Sequence, residues 1–382
     1  MSKKTKKIFA IFISLLISIS HSQLRISAND QIIPNNINKK NSKLNKIKKY
    51  ATRLTVGYAS SNILVRALTK IAVFPAAFQN IDKNKNFENN NNNNNKILSE
   101  EIIENINKKP VVIGKKYWCN SSQDSSQDFN LKNINIIFFN GNGGSVLNDN
   151  MHLGPDGKLI YLIKQGATVY TIDYTGYGNR KKFLGSFSMS ENTIFKDGED
   201  IFNYVLNKTK NKEKIMLYGY SLGGQAAMHT WNYAQKNNLE NKLAGVILHS
   251  PLNKFKKVVK KISNILEYLL NLMLINLNFD EFDKLGPTEI PSYWYSGYTE
   301  DSSEFVDLKT TICGDSNYDK SKNEAIKMVK NKLQSKGIKN AYVVMNKVSH
   351  IGNYNINSQN KEEQYEINEF KKFINKIQNN NI

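Results

Sequence analysis

A chain of 382 residues that is 40% hydrophobic and 10% aromatic holds enough apolar side chains for a sizeable core, which excludes wholesale disorder. Its two cysteines, Cys119 and Cys313, exclude a disulfide-dense scaffold, and neither has the spacing of a metal site. The net charge of +20 points toward anionic partners, but lysine and asparagine are abundant along the whole chain, and no nucleic-acid module or aromatic stacking signature accompanies them, so nucleic acid is not the expected partner.

The chain opens with Lys3, Lys4, Lys6 and Lys7, then the largely apolar stretch Ile8 to Ile19, then small residues around His21. Residues 1–22 are therefore read as a secretory signal peptide, and the protein as exported, secreted or periplasmic. Left uncleaved, the same segment would tie it to a membrane. From Tyr50 to Phe78, Leu54, Val56, Ile63, Leu64, Ala67, Leu68 and Ile71 recur at roughly helical spacing, and Pro75 should end or kink that helix. The Asn-rich stretch around Phe87 to Lys96 cannot bury enough apolar surface to fold. Residues 23–108 are accordingly taken as a helical extension and linker, and 109–382 as the main domain.

Within that domain strands and helices alternate. Strands are expected at Ile134 to Phe139, Thr168 to Ile172, Ile215 to Tyr218, Leu243 to Leu248, Ser292 to Tyr295 and Ala341 to Met345. Helices are expected at Leu159 to Gln165, Ile194 to Leu206, Leu222 to Lys236 and Glu324 to Gln334. This alternation implies an α/β fold, a mostly parallel sheet with helices on both faces. Ligands in such sheets sit at the carboxyl ends of the strands.

Three motifs fall at those ends. Gly219-Tyr220-Ser221-Leu222-Gly223 lies between an apolar strand and a helix start, and reads as a sharp turn that lifts a serine hydroxyl clear of the backbone. Asn140-Gly141-Asn142-Gly143-Gly144-Ser145 follows an earlier strand, where glycines let backbone amides converge on an oxyanion. The expected donors are the amides of Leu222 and Asn142. Asp173-Tyr174-Thr175-Gly176-Tyr177-Gly178-Asn179 follows the next strand.

With these motifs in this order, the chain from about Val111 to Ile377 resembles the α/β-hydrolase superfamily. The resemblance implies serine esterase, lipase or thioesterase chemistry, with nucleophile, acid and histidine in that chain order. It departs from the common pattern at Asn140, where many members have histidine. Of the five histidines, His350 alone lies on the C-terminal side, in Val348-Ser349-His350-Ile351-Gly352 after the last apolar strand. The resemblance makes it the general base, with His249 as its nearest rival. The acid is expected at Asp301, after the Pro291-introduced aromatic strand, and Asp315 in Cys313-Gly314-Asp315 is the alternative.

The insertion at about 253–286 occupies the family's usual lid position. Its first part is rich in lysine and its second, Ile262 to Leu277, is strongly apolar. It could cover an acyl-chain pocket or touch an anionic membrane surface. The expectation is a serine hydrolase acting on an ester or thioester of a small-molecule or lipid acyl substrate, with no metal and no organic cofactor. The alternative is a catalytically silent member of the fold that binds ligands or membranes.

Overall fold

A strand that reads Ile-Asn-Ile-Ile-Phe-Phe has no polar face to turn toward water, so it needs cover on both sides. Ile134–Phe139 is buried at every position, as is Leu243–His249, and both sit within an eight-stranded sheet. The computed structural model describes residues 97–106, 108–119, 129–141, 158–180, 189–252, 279–297, 322–346 and 361–379. The expected signal peptide, helical extension and Asn-rich linker lie outside these residues.

The described strands are β1 (Ile97–Ile106), β2 (Lys109–Cys119), β3 (Ile134–Phe139), β4 (Thr168–Ile172), β5 (Lys214–Tyr220), β6 (Leu243–His249), β7 (Ser292–Gly297) and β8 (Ala341–Asn346). Their order in the sheet is β1-β2-β4-β3-β5-β6-β7-β8. β2 runs antiparallel to both β1 and β4, and all pairings from β4 through β8 are parallel. The described helices are α1 (Lys158–Lys164), α2 (Glu191–Lys208), α3 (Leu222–Lys236), α4 (Glu281–Lys284), α5 (Lys322–Ser335) and α6 (Lys361–Asn379).

Alternation along the parallel strands divides the core in two. Ile137, Phe139, Leu217, Val246, Leu248 and Trp294 pack with α2, α3 and α5. Ile136, Phe138, Met216, Tyr218, Ile247, Tyr293 and Tyr295 point the other way and pack with α1 and α6. This two-face cover is what an α/β sheet requires, since each parallel strand must bury both of its sides.

The six expected strands and four expected helices are present, with ends shifted by a few residues at most. α2 begins at Glu191 rather than Ile194 because Ser190 caps it, its hydroxyl accepting the Thr193 amide at 3.2 Å while Thr193 accepts the Ser190 amide at 2.8 Å. Two strands were not among those expected, β1 and β2, and β1 lies in the stretch read as linker, before residue 109. The register between β1 and β2 shifts at Ile102/Ile103, where β2 carries the extra residue Ile113, and along β1 only Ile102 and Ile106 are buried. So few buried positions leave β1 without the apolar alternation by which a strand is recognised.

Of the insertion expected as a lid at 253–286, residues 279–286 are described, and they belong to the core. Phe279 and Phe282 are buried, and Glu281 of α4 docks on α3. Asn232 donates to the Glu281 carboxylate and to its backbone carbonyl, both at 3.0 Å. Lys284 approaches the carboxylate at 2.6 Å and His229 Nδ1 at 3.1 Å. Burial works to raise the Glu281 pKa, but the hydrogen bonds of His229, Lys284 and Asn232 outweigh it and hold the group at about 2.

Because the folded pKa is depressed, the Glu281 contribution is fully present above the ordinary carboxylate pKa and is lost as pH falls from about 4.5 toward about 2. We expect acid unfolding of the wild type to lose about 2 kcal/mol across that window, and Glu281→Gln to flatten that part of the stability profile. Urea titrations at stepped pH measure this, and identical profiles for the two proteins would remove the assignment.

Candidate active site

Between the end of β5 and the start of α3 stands one residue, Ser221. Its φ is 54° and ψ is −114°, a conformation that costs a residue with a Cβ of order 1–3 kcal/mol unless its surroundings enforce it. They do. The Ser221 amide donates to the carbonyl of His249 at 2.9 Å, and the Ser221 carbonyl accepts from the amides of Gly224 at 3.0 Å and Leu252 at 3.4 Å.

The flanking glycines follow from contact distances. A Cβ at Gly219 would overlap the Gly223 carbonyl and stand 2.7 Å from Ala227 Cβ. At Gly223 it would overlap the Phe139 carbonyl and stand 2.6 Å from the Asn140 carbonyl oxygen. At Gly224 it would meet Pro251 Cβ at 2.6 Å. The turn is thus wedged between the end of β3 and the segment after β6, with backbone on both sides and no space for side chains.

Leu222 opens α3, so its amide has no acceptor within the helix and lies at the positive end of the helix dipole. Leu222, expected as an oxyanion donor, therefore stands at the helix start. The end of β3 borders the same point: a Cβ on Gly141 would lie 3.4 Å from Ser221 Cβ. Asn140 is buried, and its carbonyl accepts the Tyr174 hydroxyl at 2.9 Å. The loop after β4 therefore braces the loop after β3.

That brace is itself anchored by a buried ion pair. Arg180 meets Asp197 at 2.6 Å and donates to the Asp173 carbonyl at 3.2 Å. Asp197 also accepts the amide of Thr175 at 2.6 Å and its hydroxyl at 2.9 Å. Burial is the largest influence on Asp197 and lifts its pKa, against the opposing pull of Arg180 and Thr175.

Of the expected site residues, Ser221 and Leu222 are described and adjacent. Asn142, His350, Asp301 and Asp315 lie outside the described residues. β7 and β8 end at Gly297 and Asn346, which pair with one another, at the same end of the parallel strands at which β5 closes with Tyr220, just before Ser221. The rival His249 closes β6. It is buried, its ring stands edge-on to Tyr220 at 5.0 Å and Tyr295 at 4.5 Å, and its Nδ1 is 3.4 Å from the Tyr218 hydroxyl. His229 engages Glu199 and Glu281 on the other face. Sequence reasoning missed the backbone role of His249, whose carbonyl holds the Ser221 amide, because a main-chain acceptor leaves no mark on residue type.

The family model described as "Serine aminopeptidase, S33" matches residues 159–312, less than half of the chain but including the serine turn. The match and the strand order of the sheet point to the α/β-hydrolase superfamily. This match and the sheet support a serine hydrolase of the α/β fold. The hydrolase is 26% identical over 125 residues, 32% of its length, to the multifunctional-autoprocessing repeats-in-toxin of Vibrio cholerae serotype O1, and it matches the same toxin of Vibrio vulnificus to the same degree. It spans only 2% of the length of those toxins. Among solved structures, the α/β hydrolase of Vibrio vulnificus is 17% identical with a TM-score of 0.43, covering 73% of this chain and 81% of that one. The hyperthermophilic esterase of Pyrobaculum calidifontis is 16% identical with a TM-score of 0.42, covering 83% and 92%.

Among the described residues, no group of three or more His, Cys, Asp or Glu side chains could hold a metal ion, and no helix is long and apolar enough to cross a membrane. The steric reading of the turn is open to direct measurement. Gly223→Ala should lose at least about 3 kcal/mol of unfolding free energy, since backbone must move to admit the methyl group. Gly286→Ala, where the nearest atom would be Gln235 Oε1 at 3.8 Å, should stay within about 1 kcal/mol of wild type. Equal urea midpoints for the two variants would contradict the packing described.

Proposed function

We propose that this α/β hydrolase cleaves an ester or thioester by a Ser221-His350-Asp301 mechanism. The single observation that supports it best is Ser221 itself, held at positive φ just before a helix whose first amide has no intrahelical acceptor. Such strain persists only where the surroundings over-determine it, and it concentrates at functional sites. Ser221 Oγ attacks the acyl carbon while His350 takes its proton. The carbonyl oxygen becomes an oxyanion held by the amides of Leu222 and Asn142. His350 then returns the proton to the leaving alcohol or thiol, and water resolves the acyl-enzyme by the same route.

Chain reach favours these partners. β8 lies three strands from β5, about 14 Å away at ordinary strand spacing. His350 is four residues beyond β8, and four extended residues span about 13 Å before the imidazole is counted. Asp301 is four residues beyond the end of β7, the strand beside β8, which favours it over the more distant Asp315 as the group that orients His350. The apolar stretch Ile262 to Leu277 suits an acyl chain and makes a lipid or other long-chain acyl substrate the preferred class. The leading lysines and apolar run of residues 1–22 support export, with an anionic membrane surface as the second partner.

A fluorophosphonate probe should label the wild type and leave Ser221→Ala unlabelled. With p-nitrophenyl esters, His350→Ala should lower kcat by at least about 10³-fold, and Asp301→Asn should lose more than Asp315→Asn. A greater loss in Asp315→Asn would transfer the acid role. No labelling and no turnover, together with binding to anionic vesicles, would replace the enzyme reading with a silent binding module. Over an ester series, kcat/KM should rise with acyl length, and a profile favouring acetate would count against a lipid substrate.

A further inference from the structure

Behind the serine turn, on the α1 and α6 face, two opposite charges are buried together in an aromatic layer. Lys158, the first residue of α1, and Glu366 of α6 meet at 2.8 Å, and each side chain is only 2% exposed. The Lys158 ammonium stands 4.0 Å from the centre of the Tyr295 ring and 5.7 Å from that of Tyr293. Burial pulls the Lys158 pKa down, and Glu366 opposes it. An ion pair so placed is poor value as a source of stability, because apolar side chains of similar volume often do as well or better there. Its better-attested use is to select one arrangement among several packings.

The arrangement it selects leads to Ser221. Tyr295, under the Lys158 cation, packs edge-on against His249 at 4.5 Å, and its carbonyl accepts the Ser250 amide at 2.6 Å. His249 also packs against Tyr220, the residue before the nucleophile, and its carbonyl accepts the Ser221 amide. Ser250, like Ser221, is held at positive φ. The contacts are continuous from the ion pair, through Tyr295 and the end of β6, to the strained backbone of the turn.

We propose that Lys158 and Glu366 are positioning residues: as a charged pair they fix Tyr295 and the end of β6, and so hold the Ser221 turn in its reactive conformation. The proposal rests on the hydrolase reading only for its kinetic consequence. Neither side chain touches the reacting atoms.

The test replaces both charges at once, in the full chain, with Lys158→Met combined with Glu366→Leu, alongside Lys158→Arg, which keeps a cation over Tyr295. We expect the double variant to melt at or above the wild-type temperature. Its Ser221 amide should exchange hydrogen about tenfold faster at unchanged global stability, and kcat for a short p-nitrophenyl ester should fall about tenfold with KM within twofold of wild type. Lys158→Arg should recover most of both losses. A folded double variant with wild-type amide exchange and kcat overturns the proposal. So does a double variant that does not fold, since the pair would then be needed for stability itself. If the wild type neither labels nor turns over ester, the hydrolase reading fails, while the exchange measurement still decides this one.

Discussion

The turn at Ser221 depends on how closely three backbones approach one another at the end of β5. The carbonyl of Phe139 occupies the space a side chain at Gly223 would need, the carbonyl of Gly223 does the same to Gly219, and Pro251 closes the remaining side at Gly224. Once these contacts are made, the single residue between strand and helix has one conformation open to it. Ser221 is pushed to positive φ, and the next amide becomes the first of a helix, lacking an acceptor of its own. The strained backbone at Ser221 and the free helix-start position of the next amide are thus two results of one packing constraint.

The two faces of the sheet support that constraint differently. On one side, α2, α3 and α5 pack a mainly aliphatic layer, and polar groups there form separate knots: Arg180 with Asp197 under the loop after β4, and Glu281 with His229, Asn232 and Lys284 where the insertion rejoins the core. Each knot ties a loop to a helix. On the other side the layer is rich in tyrosine and phenylalanine, and it holds the Lys158–Glu366 pair in direct contact with the residues behind the Ser221 turn. The polar groups of this fold are buried where connecting segments must be held, which is where irregular backbone has fewest hydrogen bonds of its own.

Legibility in the sequence followed local regularity. β3, β5 and β6 are short apolar runs bounded by turn residues, and α3 follows without a proline, so each could be placed to within a few residues. β1 could not. Only Ile102 and Ile106 along it are buried, and Glu100, Glu101 and Glu104 lie on a strand that, among the described residues, stands at the end of the sheet. The apolar faces of α6, Phe370, Phe373, Ile374 and Ile377, show helical spacing but stand at a lysine-rich terminus that resembles the background composition. In the candidate site, Ser221 and Leu222 were legible because a tight turn restricts residue type at fixed offsets.

What the sequence alone determined, then, is whatever a short window of residue types can encode: strand and helix alternation, the glycine frame around Ser221, and the class of chemistry a serine so placed can perform. The tertiary structure decided what depends on approach between distant segments. It brought the His249 carbonyl to the Ser221 amide, set Gly141 beside Ser221, and paired Lys158 with Glu366 across 208 positions of chain. Backbone carbonyls are the same in every residue, and a lysine looks alike whether it is solvated or enclosed. Only the folded arrangement gives such groups their separate roles.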